Sequence, residues 1–221
     1  MNQFQQQRKA VFFSFEGIDG CGKSLQAENL LKELKNSGYK TTLFREPGGT
    51  DISEQIRTIL LDNNNSTMTP LTELLLYEAS RSQLVTEKIE PLLGENGVII
   101  ADRFFDSTTA YQGYGRSISL QKIEALNNLV CKNAIPDRTY VLNISWEESL
   151  KRRSIIPTIT DRMENQAQEF YSKIRNGFAE LAHKNPQRIV MLDGEQSQET
   201  VKKLILEDAL KIIEKKLSHH I

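Results

Sequence analysis

Residues 11–26 read VFFSFEGIDGCGKSLQ, and the break inside this stretch decides the fold. Val11, Phe12, Phe13 and Phe15 form a short apolar run of strand type, Gly17-Ile18-Asp19-Gly20-Cys21-Gly22-Lys23-Ser24 interrupts it, and helix-forming residues follow. The interruption satisfies G-x-x-x-x-G-K-[ST], a complete phosphate loop. Gly17 and Gly22 open backbone angles closed to other residues and clear side chains from the path, so successive N–H groups can turn inward on phosphate oxygens. A helix starting next adds the positive end of its dipole. In this pattern Lys23 reaches the β- and γ-phosphates, and the Ser24 hydroxyl ligates Mg²⁺ beside phosphate oxygens. An ordinary Gly-rich turn is the bland alternative, and the strand before the loop and the helix after it count against that.

Outward from the loop, the composition narrows the field. A chain of 221 residues suits one well-buried α/β domain. Twenty-eight Lys and Arg against 29 Asp and Glu leave a formal net charge of −1, which gives no electrostatic case for a nucleic-acid or anionic-membrane partner. Cys21 and Cys131 have neither metal-ligand nor disulfide spacing, as in a reducing cytoplasm. No apolar run approaches the length of a membrane span.

Taken in order, residues 1–9 are polar and expected to be an unstructured lead-in. Ala27, Leu30, Leu31 and Leu34 fall on one helical face after the loop. A strand over Thr41–Phe44 runs into Arg45-Glu46-Pro47-Gly48-Gly49-Thr50, at a strand's carboxyl end, where ligands sit in open parallel sheets. Helices are expected over 52–61 and 70–93, the latter with Leu74, Leu75, Ala79, Val85, Ile89 and Leu92 inward. Tyr77 and Arg81, four apart, can share one pocket, or be an amphipathic pair on a solvated face. A strand over Gly97–Asp102 ends in an acid beside Arg103. That acid is either the second carboxylate of a Mg²⁺ site or half of a strand-end ion pair. Residues 107–116, STTAYQGYGR, concentrate hydrogen-bonding side chains suited to substrate recognition. Strands over 139–144 and 188–192 and a closing helix with Val201, Leu204, Ile205, Ile212, Ile213 and Leu217 complete a βα alternation, hence a parallel sheet covered on both faces. Between them, Arg152, Arg153 and Arg162 flank the irregular SIIPTIT, as a mobile lid over a polyphosphate or as a solvated charged helix end.

The motifs together resemble the thymidylate kinase family, one of the nucleoside-monophosphate kinases. The likeness rests on FEGIDGCGKS at 15–24, REPGGT at 45–50, DRF at 102–104, STTAYQG at 107–113 and DRME at 161–164, and it covers nearly the whole chain. It implies a single α/β domain over residues 1–221, with five parallel strands in order 2-3-1-4-5 and a lid at 150–165. It also implies a cytoplasmic homodimer and phosphorylation of dTMP by MgATP. Carried over by position, Gly17, Ile18, Asp19, Gly20, Cys21, Gly22, Lys23, Ser24 and Gln26 hold the nucleotide. Ser24 and Asp102 serve the metal, Asp102 through water. Tyr77 stacks on thymine, Arg81 reaches its O4, Thr108 lies near N3, Tyr111 lies under the 2′-position, and Gln112 joins the substrate set. Arg45 and Arg103 hold the acceptor phosphate, with Asp19 near the 3′-hydroxyl. Gly20 stands where one subtype carries its transition-state arginine, so the resemblance assigns that role to Arg152, Arg153 or Arg162 and points to a bacterial type. A GTP-dependent switch would need Asn-Lys-x-Asp, which the sequence lacks. Another monophosphate kinase is the nearer rival, against which the 107–113 segment speaks.

Overall fold

Strands form where short apolar runs lie between turn residues. Val11–Glu16 (β1) and Val98–Asp102 (β3) are buried along their whole lengths, and strands hidden on both faces read as continuous apolar runs. Thr41–Arg45 (β2), Arg138–Asn143 (β4) and Ile189–Asp193 (β5) complete a sheet of order β2-β3-β1-β4-β5. Every pairing is parallel, as the resemblance implied. This computed structural model describes residues 8–155, 161–163 and 166–217. The expected lead-in up to residue 7 and the centre of the expected lid, 156–160, lie outside the described residues.

The alternation of side chains along β1 divides the core. Phe13 and Phe15 join Leu30, Leu34, Tyr140, Ile174, Phe178 and Ile205 on one face of the sheet. Phe12 faces the other way, onto Leu84, Val85, Ile89, Ile99 and Phe104. The covering helices are Lys23–Asn36 (α1), Asp51–Leu61 (α2), Pro70–Leu84 (α3), Glu90–Leu93 (α4), Phe105–Thr108 (α5), Leu120–Cys131 (α6), Trp146–Ile155 (α7), Gln168–Lys184 (α8) and Gln198–Leu217 (α9). None of the described helices is long and apolar enough to cross a membrane. Register sets the site: Phe15 and Arg45 both pair with Asp102, so β1, β2 and β3 end at one level. The phosphate loop, Arg45 and Asp102 therefore emerge together at the carboxyl edge of the sheet.

The long helical stretch departs from the expected apolar stripe. Leu74, Val85 and Ile89 are buried, but Leu75 is 49% exposed and Ala79 is exposed. The inward face of α3 is instead largely polar, with Glu73, Glu78, Ser80 and Arg81 buried beside Leu74 and Leu84. Between α3 and α4 the backbone widens into π turns over Val85–Ile89. Such a turn takes up an extra residue and shifts the phase, so that Leu93 and not Leu92 is the buried position. In α9, Leu204 is likewise 44% exposed while Val201, Ile205 and Ile213 are buried.

Candidate active site

The phosphate loop closes on α1 without a side-chain cap. Gly22, at φ 93°, is the N-cap, and no side chain bonds to the first helical N–H groups, which stay available to an anion. Gly17 fits because it has no side chain: at φ 137°, a Cβ there would lie 2.6 Å from the Leu142 carbonyl oxygen. Lys23 Nζ rests 3.4 Å from Asp19 Oδ1. Ile18 and Cys21 point into the core. Ser24 Oγ donates to Asp102 Oδ2 at 2.6 Å, while Asp102 Oδ1 is buried with no hydrogen-bond partner. A hydroxyl and an unsatisfied carboxylate oxygen are hard donors of the kind Mg²⁺ takes. Among the described residues no group of three or more Asp, Glu, His or Cys side chains could hold a metal ion.

Beside the loop lies a cavity of about 280 Å³ in which Asp19, Lys23, Arg45, Tyr77, Arg81, Arg103, Thr108, Tyr111 and Gln112 meet. Arg81 is 2% exposed. Its Nε donates to Glu46 at 2.8 Å, and Nη1 donates to Glu78 at 2.8 Å and to Thr108 Oγ1 at 2.9 Å. That leaves the Nη2 edge for the cavity. Burial, with Glu78 adding to it, pushes the Glu46 carboxyl up to about 7 against the pull of Arg81. Arg103 Nη1 donates to the Gly17 carbonyl at 2.9 Å and to Ser107 Oγ at 3.1 Å, and Nη2 pairs with Asp19. Burial alone would raise the Asp19 carboxyl, but Arg103 and Lys23 hold it well below the usual carboxylate range. Tyr111 lies under the Arg103 guanidinium, 5.1 Å from ring centre to Cζ. Gln112 Nε2 donates to Glu73 at 3.0 Å. Arg45 pairs with Glu54 at 2.9 Å at the open side of the cavity. The arrangement has uncapped loop amides at one end, cations in the middle, and Tyr77 with the buried Arg81, Thr108 and Gln112 at the other.

The family model for thymidylate kinase matches residues 15–205. The chain belongs to the thymidylate kinase family. Among its relatives, the thymidylate kinase of Caldanaerobacter subterraneus subsp. tengcongensis is 44% identical over 198 residues, covering 90% of this chain and 94% of that protein. That of Chlorobium chlorochromatii is 43% identical over 96% of this chain and 97% of its own. The crystal structure of thymidylate kinase from Ehrlichia chaffeensis superposes with a TM-score of 0.75 at 32% identity, covering 91% of this chain and 98% of that one.

Of the three arginines that the family resemblance offered as transition-state groups, the structure brings Arg153 to the phosphate loop. Its guanidinium lies over Trp146 and Tyr171, with Cζ 5.2 and 5.4 Å from the ring centres. A Cβ on Gly20 would come within 3.3 Å of Arg153 Cγ and 3.1 Å of the Ser149 carbonyl oxygen. A side chain there would press on α7 and, at φ 78°, would be strained as well. Ser149 Oγ also donates to the Asp19 carbonyl at 2.7 Å, fixing α7 to the loop. Arg152 is directed elsewhere, to Glu148 at 2.7 Å and the Gly194 carbonyl at 2.9 Å. Arg162 is buried against Glu73 at 2.7 Å and the Leu60 carbonyl at 2.9 Å, and it lines a separate hollow with Arg116 and Gln166. The Gln26 amide donates to the Gln198 carbonyl at 2.9 Å, at the foot of α9.

Two further residues at the site carry little signal in the sequence. Arg57 lines the cavity and donates to the Pro47 carbonyl at 3.0 Å. Its one signal is that it is the sole basic residue of 51–61, directly after the REPGGT loop. Glu73 is 1% exposed and receives Gln112, Arg116 and Arg162 together. Burial would raise its carboxyl, and these partners hold it below the ordinary value. Its four-residue spacing to Tyr77 is the only hint in the sequence.

Proposed function

We propose that this chain transfers the γ-phosphoryl group of ATP to dTMP, giving ADP and dTDP, with the donor on the phosphate loop and the acceptor in the adjoining cavity. The observation that carries the reading is the meeting, in one cavity, of Lys23 from the loop with Arg45, Arg103 and Arg81 from three other parts of the chain. The acceptor is already an anion, so no protein base is needed. The protein's work is to align two anions in line and to neutralise charge spread over the transferring group.

Gly17, Ile18, Asp19, Gly20, Cys21, Gly22 and Lys23 cradle the donor phosphates, the loop amides and the Lys23 ammonium supplying the positive field, and Gln26 stays in the nucleotide set through α1. Ser24 and Asp102 would hold Mg²⁺, Asp102 through water. When bound, that ion screens the β- and γ-phosphate oxygens. Arg45 and Arg103 hold the acceptor phosphate, with Asp19 near the 3′-hydroxyl. The thymine ring stacks on Tyr77, Arg81 donates to its O4, Thr108 lies near N3, and Gln112 borders the base. Tyr111 lies beneath the 2′-position. Arg153 is the transition-state arginine favoured by its approach to Gly20. Arg152 and Arg162, engaged at Glu148 and Glu73, serve the lid as anchors.

The reading includes a homodimer in the cytoplasm. Support for the dimer comes from exposed apolar side chains on neighbouring helices: Ile52 and Ile59 on α2, Leu71 and Leu75 on α3, and Leu129, 72% exposed, on α6. Support for the cytoplasm comes from Cys21 and Cys131, both unpaired and buried. The deciding experiment is ADP release measured with MgATP and each common nucleoside monophosphate in turn. The expected result is a marked preference for dTMP, and equal or faster turnover of another monophosphate would replace this reading with the rival kinase. Sedimentation of the protein, with Leu75→Lys as the interface variant, tests the dimer.

A further inference from the structure

Glu16 closes β1 immediately before the phosphate loop and is fully buried. It lies outside the cavity lining, and its two hydrogen bonds among the described residues come from a backbone N–H and a hydroxyl. Its two oxygens face one short segment. Phe104 N donates to Oε1 at 2.7 Å, and the Ser107 hydroxyl donates to Oε2 at 2.5 Å. Ser107 Oγ in turn accepts from Arg103 Nη1 at 3.1 Å, and the same Nη1 reaches the Gly17 carbonyl at 2.9 Å. Arg103 itself stands at φ 72°, a left-handed conformation uncommon for a side chain of this size. Such a residue persists only where its surroundings over-determine it. Here the N–H of Arg103 is held by the Phe15 carbonyl at 2.9 Å, and the next N–H is held by Glu16.

We propose that Glu16 is a positioning residue for the acceptor phosphate: it fixes the strained Arg103 turn and, through Ser107, aims the guanidinium that spans the phosphate loop and the acceptor cavity. The inference rests on the reading of Arg103 as an acceptor-phosphate group. An apolar side chain at this position would leave the Phe104 N–H buried without a partner and Ser107 without its anchor. Burial, with Asp106 adding to it, pushes the Glu16 carboxyl up to about 8, against Ser107, Arg103 and the Phe104 N–H. Glutamine keeps an acceptor oxygen for the Phe104 N–H at nearly the same volume, and its amide can pair with the Ser107 oxygen.

The test is a set of variants assayed for the two substrates separately. Glu16→Met keeps the length and removes both hydrogen bonds. It is expected to raise the KM for dTMP about tenfold, leave the KM for ATP within about twofold, and lower kcat less than it raises the dTMP KM. Glu16→Gln is expected to restore the dTMP KM to within about threefold of the unmodified protein. Ser107→Ala should raise the dTMP KM in the same sense, and adding Glu16→Met to it should add less than the two single effects combined. The inference is overturned if Glu16→Met raises both KM values alike, if it leaves the dTMP KM unmoved, or if Glu16→Gln is as impaired as Glu16→Met. If Glu16→Met does not fold, Ser107→Ala decides: an unchanged dTMP KM overturns the relay. Arg103→Ala separates the two levels. A raised dTMP KM in Arg103→Ala with none in Glu16→Met removes only the role of Glu16. An unchanged KM in Arg103→Ala removes the acceptor-site reading and this inference with it.

Discussion

In the proposed assignment the cavity has a donor side, built mainly from one uninterrupted stretch, residues 17–24, and an acceptor side assembled from several. The acceptor side draws Arg45 from β2, Arg57 from α2, Tyr77 and Arg81 from α3, Arg103 from the turn after β3, and Thr108, Tyr111 and Gln112 from the segment that follows. The two sides also present charge differently. The loop offers backbone N–H groups at an uncapped helix start. The acceptor groups arrive already paired: Arg81 with Glu46 and Glu78, Arg103 with Asp19, and Arg45 with Glu54. A binding site made of backbone needs only its local conformation, whereas one made of buried, paired side chains needs the whole fold to hold each partner in place. Substitutions on the donor side should therefore cost turnover. On the acceptor side they should cost selectivity and stability together.

The largest expected effect lies where α7 meets the loop. Arg153→Ala should lower kcat by on the order of 10³, with the KM for dTMP little changed, because an arginine that acts on the transferring group is felt in the transition state. Steady-state kinetics of the three variants Arg152→Ala, Arg153→Ala and Arg162→Ala tests this, and a normal kcat in Arg153→Ala would break the assignment. Next comes Glu73, which two arginines share. Glu73→Gln should lower stability by about 3 kcal/mol at neutral pH, since removing one partner of a buried charge cluster strands the others. The sign with pH follows from its depressed carboxyl. The stabilisation is present above the unfolded value of 4.5 and is lost as pH falls through the lower folded value. Melting curves should thus show the gap between the unmodified protein and Glu73→Gln narrowing below pH 4.5, and a gap that widens there would contradict the pairing.

Two smaller effects sharpen the contrast on the acceptor side. Arg81 has only donors, which suit the O4 of thymine and oppose the amino group of cytosine. Arg81→Ala should narrow the ratio of kcat/KM for dTMP over dCMP about a hundredfold, out of a discrimination that such sites can carry to ~10⁴. Equal losses on both substrates would mean that Arg81 holds α3 and does not read the base. Tyr111 is 5% exposed and fixed edge-on against Phe170. Tyr111→Ala should reduce the preference for the deoxy over the ribo monophosphate about tenfold, a crowding effect of roughly 1–2 kcal/mol. Competition between dTMP and its ribo counterpart measures it, and an unchanged ratio would remove Tyr111 from the sugar site.

The same contrast explains what the sequence disclosed. The unit from Val11 to Asn36 was legible because its strand, loop and helix are contiguous, and each has its own signal. The other four strands fall within a residue of their expected bounds, because short apolar runs between turn residues leave little choice of register. Their order came from resemblance, since periodicity carries no information about which strand sits beside which. The inward face of α3 was not legible: at helical spacing, Glu73, Glu78 and Arg81 look like a solvated face until their partners from 46, 108, 116 and 162 are known. What separates Arg153 from Arg152 and Arg162 was hidden for the same reason. Trp146 and Tyr171, which hold it, are 25 positions apart, and the space it fills is defined by the missing side chain of Gly20.

Arg152 gives the smallest expected effect and the most direct way to break the contrast. It neighbours Arg153 in sequence, has the same charge and sits on the same helix, so sequence alone ranks the two alike. Its side chain, 29% exposed, pairs through Nε with Glu148 one helical turn away, at 2.7 Å, and its Nη2 donates to the Gly194 carbonyl. Partly exposed i,i+4 pairs on helices contribute roughly 0.3–0.5 kcal/mol. Arg152→Ala should accordingly leave kcat within about twofold and shift the melting temperature by only about a degree or two. The measurement is the kcat of Arg152→Ala beside that of Arg153→Ala at saturating ATP and dTMP. A thousandfold loss in Arg152→Ala with a mild loss in Arg153→Ala would mean that α7 turns on binding nucleotide to bring Arg152 in. The donor side would then depend on a movement of the fold as much as the acceptor side depends on its pairs.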